Sequence, residues 1–162
     1  MRILPHVKPR LIVLTDLSNE PDDEESLVRL LVYADQFDIE GLVATTSNWL
    51  KTNPREDLIR RDLDAYEQVR TNLIKHSPGF PTAAELRAVT RMGLTGFGMA
   101  FVCAEKSSGG SRRLVEAVDR ADDRTVWVSV WGGPNTLAHA LWDVRYVFPG
   151  HSFTQIVVGV DR

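Results

Sequence analysis

The stretch RLIVLTDLSNEPDD, residues 10–23, decides the fold of this chain. Its first six residues form a short apolar run rich in branched side chains, without alternating polar positions. Such a run is typical of a strand that is covered on both faces in a parallel sheet. A polar loop follows from Asp16, and Pro21 or Asp22 can begin a helix, because aspartates in a first turn complement the helix dipole.

The same succession of apolar run, polar loop and helical periodicity recurs along the chain. Further strands are predicted at 39–45 and 125–130, and the apolar run 155–160 is a candidate fourth strand. Helices are predicted over 54–74, 82–91, 111–120 and 135–144, with Pro54 at N1 of the first and Thr82 opening the second. The Gly- and Ser-rich stretch 93–110 predicts a loop.

Strands that alternate with helices imply a parallel sheet with right-handed crossovers. The predicted fold class is therefore α/β, a Rossmann-like three-layer fold with a mainly parallel sheet. In such sheets ligands bind outside the carboxyl ends of the strands. The polar loops at Asp16, Thr46 and Gly132 each follow a predicted strand, so we expect them to converge on one cleft.

The composition and net charge of the chain indicate which classes of partner are not expected. The chain has 162 residues, 43% hydrophobic and 25% charged, with a net charge of −3. This balance gives no attraction to phosphate backbones or anionic lipid, so nucleic-acid and membrane partners are not expected. Cys103 is the single cysteine and lies in an apolar setting, which favours a buried, inert thiol. No signal peptide is visible at the start, so a cytoplasmic location is the default, with secretion open if the N-terminus is truncated.

The loop after the first strand is unusually acidic. Six carboxylates fall within the ten residues from Asp16 to Glu25. Crowded carboxylates repel one another, so the fold must offset the cost with a cation, with protonation or with solvent exposure. Oxygen ligands suit calcium or magnesium. The alternative is that Asp22 and Asp23 only cap the helix; for Asp16, at the end of a buried strand, function is favoured.

Three segments carry a family resemblance. They are Leu14-Thr15-Asp16 with Pro21-Asp22-Asp23, the strand and turn 41–48 ending in Thr-Thr-Ser-Asn, and the turn Trp131–Ala138. Together they resemble the inosine/uridine-preferring nucleoside hydrolases, and still more the nucleoside-hydrolase-like domains of cellulose-binding proteins. The resemblance covers roughly residues 10–145, and the chain looks C-terminally truncated relative to that family.

The resemblance implies a chemistry and residue roles. In that family a bound Ca²⁺ holds the ribose hydroxyls and a water, and an aspartate deprotonates the water for attack at the anomeric carbon. Carried over by position, Asp16 is the candidate catalytic residue, and Asp22 and Asn48 are candidate substrate-binding residues. The implied metal ligands are Asp16, Asp23 and Asn135, the last through its backbone carbonyl.

Two departures from the family pattern affect these roles. The family opens with Asp-x-Asp, and its second aspartate falls at Ser18 here, where serine is neither a good base nor a good metal ligand at neutral pH. Either Asp16 reaches into that position, Glu20 substitutes, or the site differs from the family's. The late His-Asp pair of the family has no match before Arg162.

Two functional hypotheses follow. The first is a nucleoside-hydrolase-like glycosidase that cleaves an N-ribosyl or related glycosidic bond with a metal-activated water. The alternative is a non-catalytic carbohydrate-binding domain, of cellulose-binding type, that retains the fold. The sequence leaves open whether the chain is an enzyme. The expected partner is a small nucleoside or carbohydrate. Homo-oligomerisation is also left open.

The predicted organisation is a tail at 1–9, a partial nucleoside-hydrolase-like domain at 10–145 and an atypical segment at 146–162. The four tryptophans divide into two groups. Trp127 and Trp142 are better explained as core residues, whereas Trp49 and Trp131 lie just beyond strand ends, where they can line the cleft and stack on a sugar ring.

Overall fold

A computed structural model describes residues 7–18, 20–103, 106–146 and 156–160. The strands are β1 (Arg10–Thr15), β2 (Asp38–Ala44), β3 (Thr90–Met92), β4 (Val126–Val130) and β5 (Ile156–Val160). They lie in the order β3-β2-β1-β4-β5, and every neighbouring pair is parallel. The strand β1 is central, and all six of its residues are buried, as its uniform apolar run predicts.

Helices cover both faces of the sheet. They are α1 (Pro21–Val32), α2 (Glu56–Leu73), α3 (Ala83–Val89), α4 (Gly109–Asp119) and α5 (Asn135–Tyr146). Alternate residues of β1 point to opposite faces: Leu11 and Val13 pack with α1, α2 and α3, while Ile12 and Leu14 pack with α4 and α5. The predicted three-layer α/β class is confirmed. None of the described helices is long and apolar enough to cross a membrane.

Several element boundaries differ from prediction. The prediction placed Pro54 at N1, but α2 begins two residues later, at Glu56. Its N-cap is Arg55, whose guanidinium donates hydrogen bonds to Asp57 in the first turn. The helix α3 has the predicted Thr82 cap, a reciprocal capping box with Glu85, but it ends at Val89. The next three residues form β3, which pairs with β2; the first two of them were predicted as the end of the helix.

Trp127 was predicted in the core, and this prediction is wrong. Its side chain is 47% exposed, on the face of β4 opposite Val126 and Val128. It borders a surface groove with Pro9 and Phe37. The alternation of β4 therefore places Trp127 away from the core that α4 and α5 cover.

A buried ion pair fixes the amino-terminal edge of the sheet. Arg10 in β1 and Glu40 in β2 are 0% and 2% exposed, and Arg10 Nε lies 2.5 Å from Glu40 Oε1. Arg10 also donates to the carbonyl of Ala117 at the end of α4, and Arg120 donates to Glu40. The hydrogen bond from Arg10 to Glu40 raises the pKa of Arg10 further, so the guanidinium stays charged in the protein interior.

Glu40 occupies a special backbone position. Leu11 pairs with Ile39 and Ile12 pairs with Gly41, so Glu40 is the extra residue of a β-bulge in β2. A bulge re-aims a side chain, and here the redirected carboxylate meets Arg10. The bulge therefore explains how a charged residue is accommodated next to the apolar residues of β2.

We predict that Glu40→Gln destabilises the fold by about 3 kcal/mol, because removal of one partner leaves a buried charge uncompensated. Urea unfolding at pH 7 measures the change. The matched control is Glu116→Gln. Glu116 is exposed and forms an ion pair with Arg113 at 3.3 Å, so its substitution should change stability little. Equal stability of the two variants would contradict the prediction.

Candidate functional site

One pocket of about 340 Å³ lies at the carboxyl edge of the sheet. Its lining comes from the segments after β1, β2 and β4, together with Phe97 from the loop after β3. The lining residues are Asp16, Glu20, Asp22, Asp23, Ser47, Asn48, Trp49, Phe97, Trp131, Gly132, Gly133 and Pro134. The three polar loops converge as the parallel topology requires.

Asp23 joins the end of β1 to the first turn of α1. Its Oδ2 accepts a 2.6 Å hydrogen bond from Thr15 Oγ1 and a 2.8 Å bond from the backbone N–H of Asp16. The side chain is buried, and desolvation raises the pKa of Asp23 to about 6, with the nearby charge of Asp16 adding to the rise. Asp23 therefore shapes the loop and is also a carboxylate that titrates near neutrality.

Asp16 is half-buried and lies against the turn that follows β4. A Cβ built on Gly132 would lie 2.8 Å from Asp16 Oδ1 and 2.8 Å from Thr45 Oγ1. Glycine is required here because any side chain would collide with both groups. The backbone N–H groups of Trp131 and Gly132 donate to the carbonyl of Leu14 at 2.8 and 3.3 Å, which holds this turn beside Asp16.

Asp22 and Asn48, the predicted substrate-binding residues, both line the pocket and both are exposed. Glu20 lines it as well. Ser18, at the position of the family's second aspartate, is exposed, has a positive φ of 99° and is not in the lining. Of the two substitutes considered for that aspartate, both Asp16 and Glu20 therefore face the pocket.

Asn135 lies next to the pocket, but its side chain serves the scaffold. It is 4% exposed, its Nδ2 donates to the carbonyl of Gly96 at 2.8 Å, and its Oδ1 accepts from Thr46 Oγ1 at 3.4 Å. The side chain thus connects the loops after β2 and β3 to the start of α5. Metal binding by Asn135 through its backbone carbonyl stays a prediction.

The described residues do not form a complete calcium site. No three His, Cys, Asp or Glu side chains among them come together as ligands for an ion. Calcium takes six to eight oxygen ligands, so Asp16 and Asp23 would leave most positions to water or to a bound molecule. Calcium therefore stays a prediction of the family resemblance.

Aromatic side chains form much of the rest of the lining. Trp49 and Trp131, predicted as candidates for the cleft, both line the pocket. Trp131 Nε1 donates to Ser129 Oγ at 2.9 Å, which fixes the indole ring. The sequence did not indicate Phe97, because its position depends on a backbone contact with a distant loop, the 3.0 Å bond from Phe97 N to the carbonyl of Lys51.

The fold and the site define a parallel α/β domain with an acidic, aromatic-rimmed pocket at its carboxyl edge. The family model for the cellulose-binding Sde182, nucleoside hydrolase-like domain matches residues 10–159 of this chain. The chain therefore belongs to this family. The resemblance noted from the sequence is confirmed.

A solved structure supports the same assignment. It is a nucleoside hydrolase-related hypothetical protein from Saccharophagus degradans that is associated with carbohydrate metabolism, 41% identical to this chain with a TM-score of 0.89. The match covers 95% of this chain and 38% of that protein, so the chain spans less than two-fifths of its relative. A comparison with curated proteins gave no match. The division into tail, domain and C-terminal segment stays a prediction.

The raised pKa of Asp23 predicts a pH-dependent stability. Because its pKa is 3.8 in the unfolded chain and about 6 in the fold, its contribution is favourable below about pH 4 and is lost as the pH rises through 6. Asp23→Asn retains an acceptor for Thr15 and Asp16 but cannot ionise. We expect the variant to match the wild type at pH 4 and to be more stable at pH 8, by roughly 2 to 3 kcal/mol.

Urea unfolding of both proteins between pH 4 and 8 measures this difference. The control is Asp22→Asn, the exposed neighbour in the same turn, which should follow the wild-type pH profile. A stability difference between Asp23→Asn and wild type that is constant with pH would show that burial does not perturb this carboxyl.

Proposed function

We propose that this domain binds a neutral carbohydrate in the pocket at the carboxyl edge of its sheet. The observation that carries the proposal is the mixed lining, in which carboxylates and an amide lie beside aromatic rings. Hydroxyl groups of a sugar donate to carboxylates in charge-assisted hydrogen bonds, and an amide both donates and accepts. The apolar C–H face of the ring packs on an aromatic side chain.

Asp22 and Asn48 are the proposed hydroxyl-binding residues. Both are exposed within the lining, so a ligand can reach their polar atoms without a rearrangement of the backbone. Asp16 is half-buried beside Gly132 and supplies a third polar group deeper in the pocket. The family's cellulose-binding description and the relative's association with carbohydrate metabolism support a carbohydrate as the partner.

A second candidate is hydrolysis of an N-ribosyl or related glycosidic bond. It is favoured by Asp23, which has a pKa of about 6, next to Asp16 in one pocket. Carboxylates stabilise the oxocarbenium character that develops when such a bond breaks, and a carboxylate such as that of Asp16 can accept a proton from an attacking water. Ser18, which stands at the position of the family's second aspartate and is exposed and outside the lining, argues for binding without turnover.

Calorimetric titration with cellotetraose tests the binding proposal. We expect Asp22→Ala and Asn48→Ala each to weaken binding about tenfold, because each removes a hydrogen bond to a sugar hydroxyl. Glu25→Ala is the charge-matched control, since Glu25 is exposed on α1 and is not in the lining. If all three variants bind as the wild type does, the sugar does not occupy this pocket.

Turnover separates binding from catalysis. We expect no release of p-nitrophenol from p-nitrophenyl riboside, and no cleavage of inosine or uridine, whether calcium is added or chelated. Turnover that disappears in Asp16→Asn would establish the hydrolase instead, because the amide cannot accept a proton from water. Turnover that survives in Asp16→Asn would point to a contaminating enzyme.

A further inference from the structure

Trp49 is the most exposed large hydrophobic side chain in the described part of the chain, at 74%. It stands at the mouth of the acidic pocket, whereas the carboxylate of Asp23 is buried beside the end of β1. An indole left in water contributes nothing to the core, and tryptophan carries more apolar area than any other side chain. The exposure of Trp49 next to a polar pocket therefore points to a use in binding.

The backbone that carries Trp49 is fixed by its own hydrogen bonds. Ser47 is buried, and its Oγ accepts from the N–H groups of Trp49 at 3.1 Å and Leu50 at 3.0 Å. The N–H of Ser47 donates to the carbonyl of Leu50 at 2.8 Å, which closes the turn. The backbone of such a turn is already ordered before a ligand arrives, so less backbone entropy is lost on binding.

A second loop holds this turn from the other side. Thr52 forms an antiparallel bridge with Gly96, and Phe97 N donates to the carbonyl of Lys51. The same contacts bring the half-buried ring of Phe97 into the lining beside Trp49. We call Trp49 and Phe97 the aromatic rim.

Charge selects the class of ligand. Among the residues that the structure describes, four carboxylates and no lysine, arginine or histidine line the pocket. The negative charge of these carboxylates would repel a phosphate or another anion bound in the pocket, so a neutral ligand is favoured. Nucleotides and acidic polysaccharides are thereby disfavoured.

Exposure distinguishes between neutral ring systems. A nucleobase is flat and gains most when both of its faces are covered, whereas a pyranose stacks the axial C–H groups of one face on an aromatic ring and keeps its equatorial hydroxyls in water. Trp49 is 74% exposed, so its indole offers an apolar surface to one face of a ring whose other face stays in solvent. That geometry suits a pyranose ring better than a nucleobase.

We propose that the aromatic rim is a second sugar subsite, so that the domain binds a neutral oligosaccharide of at least two pyranose units. One ring lies against the acidic residues of the pocket, and the next ring stacks on Trp49. The inference rests on the proposed function, because it extends the same pocket outward. It adds that affinity depends on the length of the sugar chain and that this dependence resides in Trp49.

Calorimetric titration of the wild type with glucose, cellobiose and cellotetraose measures the length dependence. We expect affinity to rise about tenfold or more from glucose to cellotetraose, since the second ring adds a stacking contact. Trp49→Ala should abolish this rise, and Trp49→Phe, which retains an aromatic face, should restore most of it. Trp127→Ala is the matched control, because Trp127 is also exposed but is not in the pocket lining.

The outcomes separate the two proposals. If the wild type and Trp49→Ala bind cellotetraose equally while Asp22→Ala binds it weakly, the rim subsite is overturned and the proposed function stands. If the wild type binds none of the sugars, the proposed function fails and the rim subsite fails with it. Binding of uridine that requires Trp49, without binding of cellotetraose, would replace the pyranose by a nucleobase. Near-UV circular dichroism shows that the variants keep their fold.

Discussion

The carboxylate of Asp23 is the contact on which the candidate site depends. It accepts hydrogen bonds from Thr15 Oγ1 and from the backbone of Asp16, so it connects the last residues of β1 to the first turn of α1. The helix dipole favours a negative charge at this position, whereas burial opposes it. Burial outweighs the hydrogen bonds from Thr15 and Asp16, and it raises the pKa of Asp23. The loop after β1 and the first turn of α1 present Asp16 and Asp22, respectively, to the same pocket.

Close backbone contacts hold the other walls of the pocket in place. Gly133 N donates to the carbonyl of Thr46 at 3.0 Å, and a Cβ on Gly133 would lie 2.2 Å from that oxygen. Asn135 reaches from the start of α5 to the carbonyl of Gly96. These contacts cross between loops that are distant in sequence, so the pocket is formed by the fold before any ligand binds. A preorganised pocket of this kind favours selective recognition.

The sequence predicted most of the fold because long apolar runs and helical spacing are local signals. The parallel topology then required the loops at Asp16, Asn48 and Gly132 to meet, so that this part of the site was predictable too. Other features depend on contacts that no local pattern records. The strand β3 has only three residues and follows a helix without a break, and Phe97 reaches the pocket through a backbone bond to Lys51. The scaffold role of the Asn135 side chain likewise depends on its hydrogen bonds to Thr46 and Gly96, which are distant in sequence.

Acidic residues at the two edges of the sheet differ in whether they form ion pairs. At the amino edge, Glu40 is neutralised by Arg10 and Arg120, and Asp122 binds Arg124, which lowers the pKa of Asp122. At the carboxyl edge, the described part of the chain contributes four carboxylates and no basic side chain to the lining. Structural ion pairs explain the first group, because each charge has its partner within the fold. The carboxylates of the second group form no such ion pairs among the described residues, so their oxygens can accept charge-assisted hydrogen bonds from a hydroxyl-rich ligand.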